Sequence, residues 1–202
     1  MKKLMSDAMG LSDIGQIIPP SQFNLVDADD YILHEDNEKI FFMIKSKSDE
    51  YAFTNLGLVH VDGTSAMSKK RTVRRYEFYK YSPSSVTIET AGTIDLDAEI
   101  KFKLGEKVFS IDVDKKQIEQ LKDLYKTLVQ IEKINYSNQI KLDVAHKTLE
   151  IAATSVGRSN CSGDLSQEFK EVNQYTFNWI NHYRNEYIKK DFSDVYEKYI
   201  NN

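Results

Sequence analysis

The side chains that could carry out chemistry are few in this chain, and they are scattered along it. His146 lies on a predicted helix shortly before Cys161, and a cysteine nucleophile needs a base within hydrogen-bonding distance. The spacing does not enforce such a pair, so we expect Cys161 to be a partly buried thiol. Asp27, Asp29 and Tyr31 resemble the start of a calcium-binding loop, but the sixth position, which requires a glycine, is occupied by Ile32. The sequence therefore predicts no catalytic residue, no metal ligand set and no cofactor.

The strongest local concentration of charge is a basic cluster formed by Lys69, Lys70, Arg71, Arg74 and Arg75. Alternate residues of a strand point to opposite faces, so Arg74 falls on one face while Arg71 and Arg75 fall on the other. The main interpretation is a strand that is solvated or paired with acidic groups. The alternative is a contact with an anion, which would make the protein a membrane-surface module that binds anionic lipid headgroups.

Three acidic residues, Asp95, Asp97 and Glu99, recur at every second position. A strand would place all three on one face, and Gly92 just before them favours a turn or bulge. The main interpretation is a strand connection with solvated carboxylates. A site for a divalent ion is the alternative, because such ions prefer carboxylate oxygens as ligands.

Composition limits the classes of function further. The 202 residues are 41% hydrophobic, which is enough to form a core. With a net charge of −4, the chain does not have the overall positive field that general nucleic-acid binders carry. The only cysteine, Cys161, excludes an intramolecular disulfide and suits a reducing compartment. No apolar run reaches the roughly 18 residues of a membrane-spanning helix. We expect a cytoplasmic protein that binds no nucleic acid.

Short alternating runs separated by turn residues predict antiparallel strands over the first half of the chain. The seven predicted strands are 40–45, 51–55, 58–61, 72–79, 86–90, 98–104 and 107–113. After residue 115 the hydrophobic period becomes helical. The predicted helices are 114–135, capped by Asp114, then 139–156, one that follows Asp164, and a short one around 195–200. The predicted domains are an arm with a short helix and an extended acidic end (1–30), a strand-rich domain (31–135) and a helical hairpin (136–202).

The hairpin carries more aromatic side chains than its two helices can cover. Packing of one helix against the other is the default for a hairpin, because each helix must bury one face. An excess of aromatic surface is typical of an association site. The predicted oligomer interface consists of Phe169, Tyr175, Trp179, Tyr183, Tyr187, Phe192 and Tyr196.

Several segments resemble a known family. Residues 89–102 (ETAGTIDLDAEIKF), residues 51–55 (YAFTN) and residues 115–124 resemble the bacterial pleckstrin-homology (PH) domain family. Residues 8–15 (AMGLSDIG) and the helical tail resemble its YvbH-like branch, whose C-terminal helical region is regarded as an oligomerisation element. The resemblance implies an α+β fold, in which a PH-like antiparallel seven-stranded sandwich or partly open barrel is capped by a helix and followed by a helical hairpin.

The resemblance implies no reaction, because the family has no established ligand or activity and a fold does not dictate function. We expect a non-enzymatic binding and assembly module that forms a homo-oligomer and acts as a protein-interaction scaffold. A protein or peptide partner could add a strand at an exposed sheet edge or bind beside the helix at 114–135. A membrane surface is the less favoured partner.

Overall fold

The structure is a computed structural model of the chain, and it describes residues 14–63, 71–90, 97–157 and 165–200. The chain packs as two units. The sandwich unit contains the described residues up to Glu132 together with those from Lys190 onwards, and the hairpin unit is Lys133–Lys189. The hairpin is therefore an insertion between two pieces of the sandwich unit, whereas the sequence predicted a tail that continues to the C-terminus.

Eight strands lie in the described part of the sandwich unit, and seven of them overlap the seven predicted ones. They are β1 (Gln16–Ile17), β2 (Ile40–Lys45), β3 (Asp49–Thr54), β4 (Gly57–Gly63), β5 (Arg71–Glu77), β6 (Pro83–Glu89), β7 (Asp97–Leu104) and β8 (Lys107–Asp114). One antiparallel sheet has the order β1-β2-β3-β4-β5 and the other has the order β6-β7-β8. The unpredicted β1 connects the sheets at one corner, because it pairs with β2 while the adjacent Gly15 bridges Val113 of β8.

The two sheets face each other across an aromatic core. Phe53 of β3 lies 5.9 Å from Phe102 of β7, measured between ring centroids, and Phe102 stacks on Phe109 of β8 at 5.0 Å. The predicted alternation of β8 is confirmed, because Phe109 and Val113 are buried while Ser110 between them is exposed. This is the pattern of a strand with one face in a core and one face in water.

The segment before β2 differs from the predicted arm and its extended acidic end. Its described residues form three short 3₁₀ helices, Pro20–Leu25, Asp27–Tyr31 and His34–Asp36, and the predicted helical start of the arm lies outside the described residues. The buried side chains of this segment form a second core against the five-stranded sheet. That core contains Ile18, Val26, Ala28, Ile32, Met43, Ala52, Val59 and Val61. The segment is thus part of the sandwich unit and covers the outer face of its larger sheet.

The helices are α1 (Ile118–Gly157), α2 (Leu165–Tyr187) and α3 (Ser193–Tyr199). The helices predicted at 114–135 and 139–156 are one continuous helix, α1. The Asn and Ser residues between them each lower the stability of a helix by only roughly a few tenths of a kcal/mol, and no Gly or Pro intervenes. Asp114 caps this region as predicted, since its side chain accepts a hydrogen bond from the backbone N–H of Lys116 at 2.9 Å. The first half of α1 buries an apolar stripe: Leu121, Leu124, Leu128 and Ile131.

The last helix, α3, belongs to the sandwich unit, and it places Phe192 and Tyr196, two residues of the predicted oligomer interface, in the core of that unit. Both side chains are fully buried in the chain's own fold. Phe192 packs edge-on against Phe78, and Tyr196 stacks on Phe41 with 5.0 Å between ring centroids. Their aromatic surface is already covered here and does not add to the exposed surface of the chain.

Candidate interaction surfaces

The described part of the basic cluster is neutralised by acidic side chains of the sandwich unit. The ion pairs are Arg71 with Asp27 at 3.7 Å, Arg74 with Asp62 at 2.9 Å and Arg75 with Glu38 at 2.7 Å. Lys69 and Lys70 lie outside the described residues. The three pairs favour the interpretation of a strand paired with acidic groups over that of a lipid-headgroup site.

The pair of Glu38 and Arg75 ties β5 to the segment that precedes β2. Glu38 is fully buried and also accepts hydrogen bonds from the Thr54 hydroxyl at 2.7 Å and the Leu33 backbone N–H at 2.8 Å. Burial alone would raise the pKa of Glu38, but the hydrogen bonds from Arg75, Leu33 and Thr54 outweigh it and hold that pKa below its ordinary value. Arg75 also donates to the carbonyl oxygen of Tyr31 at 2.8 Å. Because the fold itself provides the hydrogen-bond partners of both side chains, this ion pair stabilises the sandwich unit.

A buried histidine on β4, His60, pairs with a partly exposed aspartate on β3, Asp49, and the sequence did not predict this pair. The Nε2 atom of His60 is 2.9 Å from Oδ1 of Asp49, and the imidazole stacks on Tyr51 with 4.6 Å between ring centroids. The buried Nδ1 atom has no hydrogen-bond partner among the described residues, so the tautomer that carries its hydrogen on Nε2 fits this site. Burial would raise the pKa of Asp49, but hydrogen bonds from His60 and Ser48 lower it overall. The signal for this pair in the sequence was the short β3–β4 turn, because that turn sets the strand register in which Tyr51 lies opposite His60.

Two of the three acidic residues at alternate positions, Asp97 and Glu99, lie on β7 in the environment of a solvated strand face. Glu99 on β7 lies opposite Asp112 on β8, and burial followed by the nearby carboxylates of Glu99 and Asp97 raises the pKa of Asp112. Lys101 offsets part of this repulsion, because its Nζ lies 2.8 Å from a carboxylate oxygen of Glu99. Asp95 lies outside the described residues. No group of three or more His, Cys, Asp or Glu side chains in the described ranges could hold a metal ion.

A shallow cleft of about 420 Å³ lies between the 3₁₀ helices and the start of β2. It is lined in part by His34, whose Nε2 atom is 3.0 Å from Asp29, and by Lys39. The His34 side chain is 55% exposed, so water reaches the polar groups of this cleft. Sites for small molecules normally enclose most of the ligand surface. The cleft therefore offers no enclosed site for a substrate or cofactor.

An aromatic ladder runs along α2 in the hairpin unit. The rings of Tyr175, Trp179, Tyr183 and Tyr187 follow one another with 4.9 to 5.9 Å between neighbouring centroids. At the end of the ladder, Nζ of Lys141 on α1 lies 5.2 Å from the ring centroid of Tyr187. Trp179, Tyr183 and Tyr187 are each partly buried. Contacts with neighbouring rings and with Lys141 thus cover part of the surface of these three predicted interface residues.

Both helices of the hairpin unit expose a further apolar surface. On α1, buried Leu142 and Ala145 mark one face, and exposed apolar side chains recur at helical spacing on the opposite face. The exposed fraction is 46 to 70% for the four side chains of α1 and 49 to 68% for the four of α2. We call these eight side chains the hairpin surface: Tyr136, Ile140, Val144, Ile151, Phe169, Val172, Tyr175 and Phe177.

The hairpin surface overlaps the predicted interface at Phe169 and Tyr175. The four side chains on α1 were not predicted, because a helix needs only one apolar face to pack on a neighbour: Tyr136, Ile140, Val144 and Ile151. The signal was a second apolar row, spaced by four and seven residues, on the far side of the same helix. None of the helices in the described ranges combines the length and the apolar character that a membrane span requires.

Comparisons with known proteins agree with this architecture. The model of the family described as "Bacterial PH domain" matches residues 8–132, and the model described as "YvbH-like oligomerisation region" matches residues 143–202. The chain is 52% identical over 202 residues to "Uncharacterized protein YvbH" of Bacillus subtilis (strain 168), covering all of this chain and 99% of that protein. It is 49% identical to a PH-domain-containing bacterial protein from Exiguobacterium sibiricum 255-15, whose crystal structure matches with a TM-score of 0.86 over 93% of this chain and 100% of that one. The predicted α+β, PH-like fold is confirmed.

Proposed function

Because the chain belongs to the bacterial PH domain family and carries a YvbH-like oligomerisation region, we propose that it is a non-enzymatic module that assembles with copies of itself through the hairpin surface. The observation that carries the proposal is the row of exposed apolar side chains on both helices of the hairpin unit. Monomeric proteins rarely expose large contiguous apolar patches, and such patches mark interaction sites. We further propose the cytoplasm as its compartment, which rests on the single cysteine.

The free energy available from covering the hairpin surface can be compared with the cost of association. Complete burial of one Val, Ile or Phe side chain contributes about 1.5–3 kcal/mol. Association costs about 4–15 kcal/mol in lost translational and rotational freedom. A stable assembly therefore needs most of the eight side chains to be covered together, which a helical hairpin packed against an identical hairpin can do.

The assembled protein would act as a scaffold that presents several sandwich units to a protein partner. The pairing of Arg71, Arg74 and Arg75 with carboxylates supports a protein partner over an anionic membrane, because these arginines already have anionic groups beside them. No reaction is assigned, since the titratable groups of the sandwich unit serve its own packing.

Light scattering on the full chain tests the proposed assembly. Truncation near Asn135 would also remove α3, which is part of the core of the sandwich unit, so single substitutions are the sharper perturbation. We expect Val144→Glu to lower the native mass, because a charge buried in an apolar interface is costly. The matched control is His146→Glu, which introduces the same carboxylate at an exposed position outside the hairpin surface and should leave the mass unchanged. A wild-type chain that is monomeric at all concentrations, or a Val144→Glu chain with the wild-type mass, would contradict the proposal.

A further inference from the structure

The C-terminal segment, Lys190–Tyr199, is held in a groove of the sandwich unit by contacts of several kinds. The backbone N–H of Phe192 donates to the carbonyl oxygen of Asn55 at 2.9 Å, and the Asn55 side chain donates to Asp191 at 2.9 Å. Phe192, Val195 and Tyr196 are at most 3% exposed. Nζ of Lys190 lies 5.5 Å from the ring centroid of Tyr79 at the rim. We call the surface under this segment the groove, which includes Phe41, Asn55, Phe78 and Tyr79.

The way in which the segment is connected differs from that of the strands around it. All of Lys133–Lys189 separates it from the rest of the sandwich unit, and that stretch packs as a unit of its own. The residues between Tyr187 and Ser193, which join α2 to α3, are not helical. A compact segment that docks into a core through a non-helical connection has the anatomy of an element that can be exchanged between identical chains.

We propose that the groove is a docking site for the C-terminal segment of a second copy of this chain, so that assembled chains exchange these segments. The partner's segment has the same sequence, so Phe192, Val195, Tyr196 and the hydrogen bonds at Asn55 are reproduced without any new contact. Exchange therefore costs little free energy, because the two arrangements differ only in which chain provides the segment. Once hairpins have associated, the partner's segment is present at an effective concentration of the order of mM. The inference rests on the proposed self-association, because that association supplies the second copy.

The experiment uses two full-length chains that each carry one cysteine, with Cys161→Ser in both. One chain carries Tyr79→Cys at the rim of the groove, and the other carries Lys190→Cys on the segment and a size tag. Both positions are exposed, so the substitutions leave the buried contacts in place. The chains are co-expressed and treated with a short thiol-to-thiol cross-linker, and a tagged heterodimer is sought by denaturing electrophoresis. A single chain that carries both substitutions shows that the cross-linker spans the two positions.

Two controls separate exchange from simple proximity in an assembly. The first replaces Tyr79→Cys by Lys103→Cys, an exposed position on β7, and should give no heterodimer above background. The second adds Phe192→Ala and Tyr196→Ala to the Lys190→Cys chain, which should abolish the heterodimer because the segment loses its anchors. A heterodimer that is specific to Tyr79→Cys with Lys190→Cys and that the second control removes supports the proposal.

Light scattering on the same samples distinguishes failure of this inference from failure of the proposed function. One outcome is that the protein is an oligomer, that the chain with both Tyr79→Cys and Lys190→Cys cross-links only within itself, and that the mixed chains give no heterodimer. Exchange is then overturned, and assembly through the hairpin stands. If the protein is a monomer, both proposals are overturned. A heterodimer of equal amount in the Lys103→Cys control also overturns exchange, because the contact is then not specific to the groove.

Discussion

Replacing Tyr196 by Phe should stabilise the sandwich unit, although it removes a polar group from the core. Tyr196 is fully buried and stacks on Phe41 with 5.0 Å between ring centroids. Its hydroxyl has no hydrogen-bond partner among the described residues. A hydroxyl that gives up water without a replacement partner costs free energy in the folded state, and Phe keeps the ring while it removes this cost.

The magnitude follows from the two parts of the side chain. An unsatisfied buried polar group costs about 1–3 kcal/mol, so we expect Tyr196→Phe to raise the free energy of unfolding by about 1 kcal/mol. Removal of the ring should have the opposite and larger effect. Tyr196→Ala creates a cavity in the core, and aromatic-to-alanine changes of this kind cost about 3–5 kcal/mol.

Alkaline pH should widen the difference between the wild type and Tyr196→Phe. Burial raises the pKa of Tyr196 well above the ordinary value of 10.0. Because the folded-state pKa is raised, the stability linked to the protonated phenol is fully present below about pH 10 and is lost as the pH rises towards the folded pKa. Phe cannot ionise, so the advantage of the variant should grow above about pH 10.

Urea unfolding followed by circular dichroism measures these differences. The matched control is Tyr136→Phe, which removes the same oxygen from a side chain that is 70% exposed and should change stability little. The reasoning is refuted if Tyr196→Phe is less stable than the wild type while Tyr136→Phe is unchanged. That result would mean that the Tyr196 hydroxyl makes a favourable hydrogen bond in solution.

Two further substitutions test the packing of the sandwich unit, and one pH profile tests its electrostatics. Arg75→Met should lower the free energy of unfolding by about 3 kcal/mol, which is near the lower end for a broken buried ion pair because Arg75 is 25% exposed. The control is Arg74→Met at an exposed ion pair, which should lower the free energy of unfolding little in the same urea titration. Glu38→Gln should flatten the acid side of the plot of unfolding free energy against pH. The lowered pKa of Glu38 contributes stability above the ordinary value of 4.5, and this stability is lost as the pH falls through the folded pKa. Equal slopes for the wild type and the variant would contradict this. Gly57→Ala should destabilise the β4–β5 pairing, because an added Cβ would lie 2.2 Å from the carbonyl oxygen of Tyr76, and an unchanged thermal midpoint would refute it.

The sequence predicted the strands well because their signal is local. Alternating side chains and short turn segments are read within a few residues, and all seven predicted strands overlap strands of the structure. The errors arose where a distant contact decides the outcome. Nothing near β1 shows that Gly15 will bridge Val113, and nothing near Phe192 shows that Phe78 will cover it.

The candidate interaction surface was predicted only in part for a related reason. The aromatic period of α2 is visible in the sequence, but it does not separate side chains that pack inside the hairpin, such as Trp179, from those that remain exposed, such as Phe169. The second apolar row of α1 was visible too. Its meaning depends on knowing that Leu142 and Ala145 already provide the face that the hairpin buries.

The division of the chain into two units implies that stability and assembly can be changed separately. The first half of α1 buries Leu124 and Leu128 in the sandwich unit, while the second half exposes Ile140 and Val144 in the hairpin unit. A substitution on the hairpin surface should therefore change the native mass and leave urea unfolding of the sandwich unit nearly unchanged. Tyr196→Phe should do the reverse. If Val144→Glu lowered both the mass and the stability of the sandwich unit, the folded sandwich would depend on assembly, as in obligate oligomers that have no stable folded monomer.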